Sequence, residues 1–343
     1  MKFLMRLFVF LLIVGFIMIG VAFLGDMDIN RLTSVFDQSE AYGDPIHYTE
    51  NESIDHLVID VTVKHIAVTF TDLETLKVTY YSHTDDIWEI TSELGVLTIK
   101  QTQKIRPLIG FYFGFVDHSY TTLGLEIPKD WVMDFDLSTN TGDISLFGTL
   151  ADDVELLVAG NVKLETNTGH IEVKDLSAPS IELKSDTGDI AVLNLFVTDH
   201  MKITNSTGVI HLEDSTGKSV DITGSTGRIE VENLQIYSLD IDSDTSRIEL
   251  RDSEIETSIN VEISTGKIIV ENVSAISYDL RTDTGDIEVE LISLESMKFD
   301  LNTNLGKIIV DGVNQGDRHV TTIGTIDFVA ETTTGNITIN VRD

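Results

Sequence analysis

The phrase Thr-Gly-x-Ile returns through this chain on a nearly fixed beat, and no other feature constrains the fold as tightly. Aligned on the glycine, the copies centre on Gly142, Gly169, Gly188, Gly208, Gly227, Gly266, Gly285, Gly306 and Gly335, with Ser246 in the slot between Gly227 and Gly266. From residue 169 to residue 306 the spacings are 19, 20, 19, 19, 20, 19 and 21. A beat of that length belongs to units that cannot bury their apolar face alone and stack on their neighbours instead.

Apolar columns run through every copy. Two residues after the glycine stands isoleucine, from Ile144 and Ile171 to Ile337. Four after it come Leu146, Val173, Val192, Leu212 and their counterparts, and five and seven before it come pairs such as Leu164/Val162 and Leu183/Ile181. The positions between are mostly polar, so each unit consists of strands with one face buried. The inward set occupies odd offsets before the glycine and even offsets after it. A straight strand cannot change parity, so the glycine marks a corner, where positive φ is open to it at little cost. Thr precedes the corner in nine of the ten copies, and three residues before it Thr or Ser is frequent, as at Thr139, Thr166 and Ser185. Both positions are expected to face inward as hydroxyl ladders that bond backbone at the bend. A third inward pair follows seven and nine after the glycine, for example Leu195/Val197, Leu234/Ile236 and Ile292/Leu294. The expected fold is all-β: a parallel β-solenoid of about ten coils of 19–20 residues over 135–343. Ten laps about 4.8 Å apart make a rod of roughly 50 Å.

Before the repeats, residues 54–134 alternate less regularly and are expected to form an irregular β cap over the first coil, while the polar stretch 25–53 reads as a spacer. Two interruptions stand out. Residues 105–120 gather Phe111, Tyr112, Phe113 and Phe115, either as a loop over the cap's core or as a patch that touches a membrane or partner. Residues 311–327 are an insertion before the last coil, which would leave an open parallel edge at the C-terminus.

Lys2 and Arg6 precede 18 uncharged residues, 7–24. That is long for a signal peptide and sufficient for a spanning helix. Segment 1–24 is therefore a transmembrane anchor or signal, with anchorage through 7–24 favoured and all that follows outside the cytoplasm. The expected location is the cell membrane, single-pass.

The totals exclude several classes. Asp and Glu number 57 against 23 Lys and Arg, a formal net charge of −34, which repels nucleic acid. There is no cysteine, so disulfides, thiol catalysis and Cys-ligated zinc are ruled out. The nine histidines form no metal-binding spacing, and the "STGKS" of 215–219 lacks the leading glycine of a phosphate-binding loop. The column after the glycine, with Asp143, His170, Asp189, Lys267, Asp286 and Lys307, mixes signs and reads as charge pairing on a solvated face. No catalytic, cofactor or metal residue is assigned, and no cofactor is expected.

The segment "LEIPKDWVMDFDLSTNTGDISL", 125–146, followed by the run of Thr-Gly-x-Ile coils, resembles the large bacterial family of β-strand-repeat proteins labelled "putative adhesins", a domain of unknown function. That resemblance implies a surface-exposed bacterial solenoid. Its partner is expected to be a macromolecule at the cell surface or a membrane protein. A second reading is a cell-envelope stress sensor, and a third, less favoured, is a polysaccharide-active enzyme.

Overall fold

The computed structural model describes residues 42–103, 118–148 and 156–341. Segment 7–24, expected to be the anchor, lies outside these residues, as do Phe111, Tyr112, Phe113 and Phe115. Among the described residues every element is a β-strand except the short helix His118–Thr121. No helix among them is long and apolar enough to cross a membrane.

Each of the central repeats makes one lap with three sides. Around Gly169 the first side is Val162–Thr168, the second runs from Ile171 to Lys174, and the third from Leu176 to Ala178. Each side pairs in parallel with the same side of the next lap: Val162 faces Ile181, Ile171 faces Ile190, Leu176 faces Leu195. The register persists through Met201, Val220, Leu239, Ile259 and Tyr278. In-register pairing lays the apolar columns over one another, and one continuous buried core results. Each Ile, Leu or Val so buried contributes about 1.5–3 kcal/mol relative to an exposed one.

The stacking order departs from the chain order at both ends. At the C-terminal end, Ser277–Thr284 does not pair with the following repeat. It pairs with Ile326–Thr334, and the outer edge of that strand pairs with Met297–Leu305. The second sides agree, since Ile287 and Ile308 both face Ile337. The last lap in sequence is thus slotted between the two before it. Phe328 stacks on Tyr278 at 4.9 Å and meets Phe299 edge-on at 5.5 Å. The expected open edge at the C-terminus is therefore corrected. The outermost lap is 297–310, and the 311–327 insertion covers it: Val313–Gly316 and Arg318–Val320 pair antiparallel with its two sides. A parallel edge left bare would recruit other chains, and an antiparallel cover removes it.

The N-terminal end repeats the device. His56–Val61 lies between Asp134–Thr141 and Val96–Gln103, so the lap whose sides are Val96–Gln103 and Thr122–Pro128 is outermost. Antiparallel strands Asp86–Glu93 and Leu76–Tyr80 cover it, and Ile46–Glu50 adds to the second of these. The stretch read as polar spacer thus supplies a cap strand. One inward pair fails as well: the strand Ile287–Leu291 runs straight on, burying Leu291 and leaving Ile292 70% exposed.

Candidate functional site

The glycine column forms the first corner. Gly188 has φ +137°, and a Cβ on it would lie 2.0 Å from the Gly169 carbonyl oxygen; for Gly285 the values are +151° and 1.7 Å. Gly142, Gly169, Gly208, Gly227, Gly266 and Gly335 share both features. Gly306 is held to glycine by space alone, its Cβ position being 1.8 Å from the Gly335 carbonyl oxygen. The residue three before the glycine reaches back across this corner: Thr166 Oγ1 donates to the Gly142 carbonyl (3.0 Å), Ser185 Oγ to Gly169 (3.1 Å) and Thr332 Oγ1 to Gly285 (3.0 Å). These hydroxyls are buried. The threonines next to the glycines, such as Thr168 and Thr187, are exposed, so only one of the two expected ladders faces inward. The parity has already changed by that position.

The column after the glycine does more than the expected charge pairing, which joins His65 to Asp143 at 3.1 Å and His170 to Asp189 at 3.6 Å. The Asp143 amide donates to His65 Nδ1 (3.0 Å), the His170 amide to Asp143 Oδ1 (2.8 Å), the Asp189 amide to His170 Nδ1 (3.0 Å) and the Val209 amide to Asp189 Oδ1 (2.8 Å). Each side chain accepts the amide that the corner turns out of the ladder. Lys267 pairs with Glu288 at 2.6 Å instead of with Asp286, and Asp286 Oδ1 accepts the Asn336 amide at 2.7 Å.

A second corner, six residues after the glycine, was not read from the sequence. Asp175, Asn194, Asp214, Asn233, Asp252 and Asn272 all have positive φ, between 45° and 56°. Asn and Asp tolerate that conformation best among side-chain-bearing residues. They alternate, and Asn Nδ2 donates to the Asp Oδ1 of the preceding lap, at 2.6 Å for Asn194 and 2.5 Å for Asn272. The strict alternation Asp, Asn, Asp, Asn was the available signal.

At the N-terminal end a buried ion pair fastens the cap. Lys64 is 1% exposed, and its Nζ lies 3.3 Å from Asp86 Oδ2. The ammonium also donates to the carbonyls of Tyr81 (3.1 Å) and Tyr120 (3.3 Å) and lies within 6 Å of the Tyr42 and Trp88 rings. Burial pushes the Lys64 ammonium below its ordinary pKa, and Asp86 opposes that shift. Asp86 in turn accepts from Gln101 Nε2 (2.9 Å) and from the His83 amide (2.9 Å). Every donor of the ammonium has an acceptor, so the pair is a structural fastening.

The third side carries the open surface. A groove of about 540 Å³ crosses four adjacent laps and takes in the rings of Phe196 and Tyr237. Gly217 forms its floor, where a Cβ would lie 2.4 Å from the Val197 carbonyl oxygen. Lys218, Glu254 and Glu256 line it. The "STGKS" stretch thus supplies a groove floor. Among the described residues no group of three or more His, Asp or Glu is placed to hold a metal ion.

A family model described as Toastrack DUF4097 matches residues 54–265. No curated protein matches the chain. Two solved structures do, each 11% identical over 87% of this chain. One is a putative cell adhesion protein from Clostridium sporogenes ATCC 15579, covered over 100% of its length with a TM-score of 0.21. The other is a putative adhesin from Bacteroides fragilis NCTC 9343, covered over 98% with a TM-score of 0.37. At these scores neither likeness carries weight for function.

Proposed function

The chain belongs to the Toastrack DUF4097 family, and from that premise we propose that it is a non-catalytic surface protein, an adhesin or scaffold. In this reading it is a β-solenoid tethered to the membrane through 7–24 and displayed outside the cytoplasm, and it holds a macromolecular partner along its third side. The observation that carries the reading is the groove between Phe196 and Tyr237. Large rings left in water on a flat sheet cost solvation and are the residue type that anchors interfaces. The covered ends favour the same reading, because a rod that cannot extend by edge pairing presents its sides instead.

The test is retention on whole cells and extracellular matrix by full-length protein, purified in detergent and fixed to beads. Binding is expected, and the double substitution Phe196→Ala/Tyr237→Ala should remove most of it. Equal retention by the variant would overturn the assignment of the groove.

A further inference from the structure

From the Gly142 lap to the Gly266 lap, four exposed apolar side chains of the third side fall on alternate laps; the beat stops at the next lap, where the strand runs straight on and Ile292 is exposed as well. Val158 belongs to the Gly142 lap, Phe196 to the Gly188 lap, Tyr237 to the Gly227 lap and Ile276 to the Gly266 lap, and they are 54%, 42%, 49% and 59% exposed. Val158 and Phe196 occupy one column, through Ser177. Tyr237 and Ile276 occupy the column two residues further along the side. Laps about 4.8 Å apart set this apolar beat at roughly 9.6 Å along the axis.

The laps between carry polar groups. Lys218, between Phe196 and Tyr237, is held by Asp199 at 3.2 Å. Glu254 and Glu256, between Tyr237 and Ile276, are exposed and form no ion pair among the described residues. Thr198 and Gln235 add neutral donors and acceptors. The groove therefore presents rings, hydroxyl and amide partners, and an excess of negative charge.

We propose that the third side binds a linear β-linked amino-sugar polysaccharide along the stacking axis, one disaccharide to every two laps. This rests on the reading of the third side as the binding face. In an extended β-linked chain successive sugars turn over, so the same apolar C–H face recurs at every second ring. That repeat matches an apolar platform on every second lap. A C–H face lies flat on an aromatic ring, and the intervening hydroxyls meet Thr198, Gln235 and the glutamates. Glu254 and Glu256 complement protonated amines and repel uronates.

Other occupants fit less well. Nucleic acid is repelled by the charge. An added peptide strand needs a free sheet edge, and both ends of the stack are covered. An amphipathic helix needs a continuous apolar strip, which the charged laps interrupt.

The test is calorimetric titration of the full-length protein in detergent with a glucosamine hexamer, a glucosamine dimer, cellohexaose and a galacturonate hexamer. The glucosamine hexamer should bind at least about tenfold more tightly than the dimer or cellohexaose, and the galacturonate should not bind. Tyr237→Ala and Phe196→Ala should each weaken the hexamer about fivefold or more, and Glu254→Gln/Glu256→Gln should remove the preference over cellohexaose. All these side chains are exposed, and unchanged melting would confirm that the variants fold. The proposal is overturned by no binding, by equal affinity for cellohexaose, or by hexamer binding that survives the ring substitutions, which is mere attraction of a polycation to an acidic chain. If the double alanine variant loses cell retention on beads while no oligosaccharide binds, the ligand class is wrong and the groove stands. If both assays fail, the groove falls too.

Discussion

At position 188 a side chain has nowhere to go. Its φ of +137° is disfavoured for any residue with a Cβ, and the space a Cβ needs is filled by the Gly169 carbonyl. Gly188→Val should therefore cost about 3 kcal/mol from backbone strain and overpacking together, seen as a lowered denaturation midpoint. Gly43→Ala is the control: nothing lies within 4 Å of its Cβ position, and the change should stay within about 0.5 kcal/mol. A charged side chain gives a second residue-scale prediction. Burial pushes the Glu249 carboxyl up, but Arg247 and Arg251 outweigh burial and hold it below its ordinary value of 4.5. A depressed folded pKa stabilises above the unfolded value, and that contribution is lost as pH falls through the folded value. Glu249→Gln should cost about 1 kcal/mol at pH 7, and melting curves of the two proteins should converge below pH 4.5. The glycine column was legible because each copy repeats the same strain at the same offset. The Asp/Asn column repeats equally well, and the inward set changes parity there too, but Asp and Asn are common on exposed strand faces and do not single out positive φ as glycine does.

Among the elements, the caps were the least legible. Lys64 is a single lysine in the corner between the strands His56–Val61 and His65–Thr71, and nothing local marks it as buried. Its partner Asp86 sits on a strand that folds back antiparallel over the outer lap, so the pair exists only once the cap is built. Removing one member leaves a charge buried without its partner. Lys64→Met should cost about 3–5 kcal/mol and should loosen the cap first, read as new protease cleavage within 76–121 while the central laps stay intact. Cleavage no faster than in the parent would contradict the fastening role. The third-side groove was missed for a related reason: Phe196 and Tyr237 stand in different columns, two laps apart, and line one groove only across the intervening lap.

For the whole molecule, composition and period set the architecture but not the order of the laps. The repeat laps carry nearly the same phrase, so any of them could stack on any other. The choice is made by the ends. A rod laid down in chain order would expose its final strand. Slotting 326–341 inside lets the strands Val313–Gly316 and Arg318–Val320 cover the outermost lap, and the N-terminal end solves the same problem with strands from 46–93. The chain closes both ends of its core and leaves the sides of the stack open to solvent.

The order of stacking can be measured by cross-linking, because the chain has no cysteine of its own. Ser277 faces Asp327 on the adjacent strand, whereas Lys298, its counterpart in the next repeat of the sequence, faces Asp327 from the far side. A disulfide requires Cα atoms within about 7 Å. Ser277→Cys/Asp327→Cys should oxidise quantitatively in the folded protein, and Ser277→Cys/Lys298→Cys, two laps apart, should remain reduced. The reverse pattern would contradict the slotted lap and with it the account of how the ends are closed.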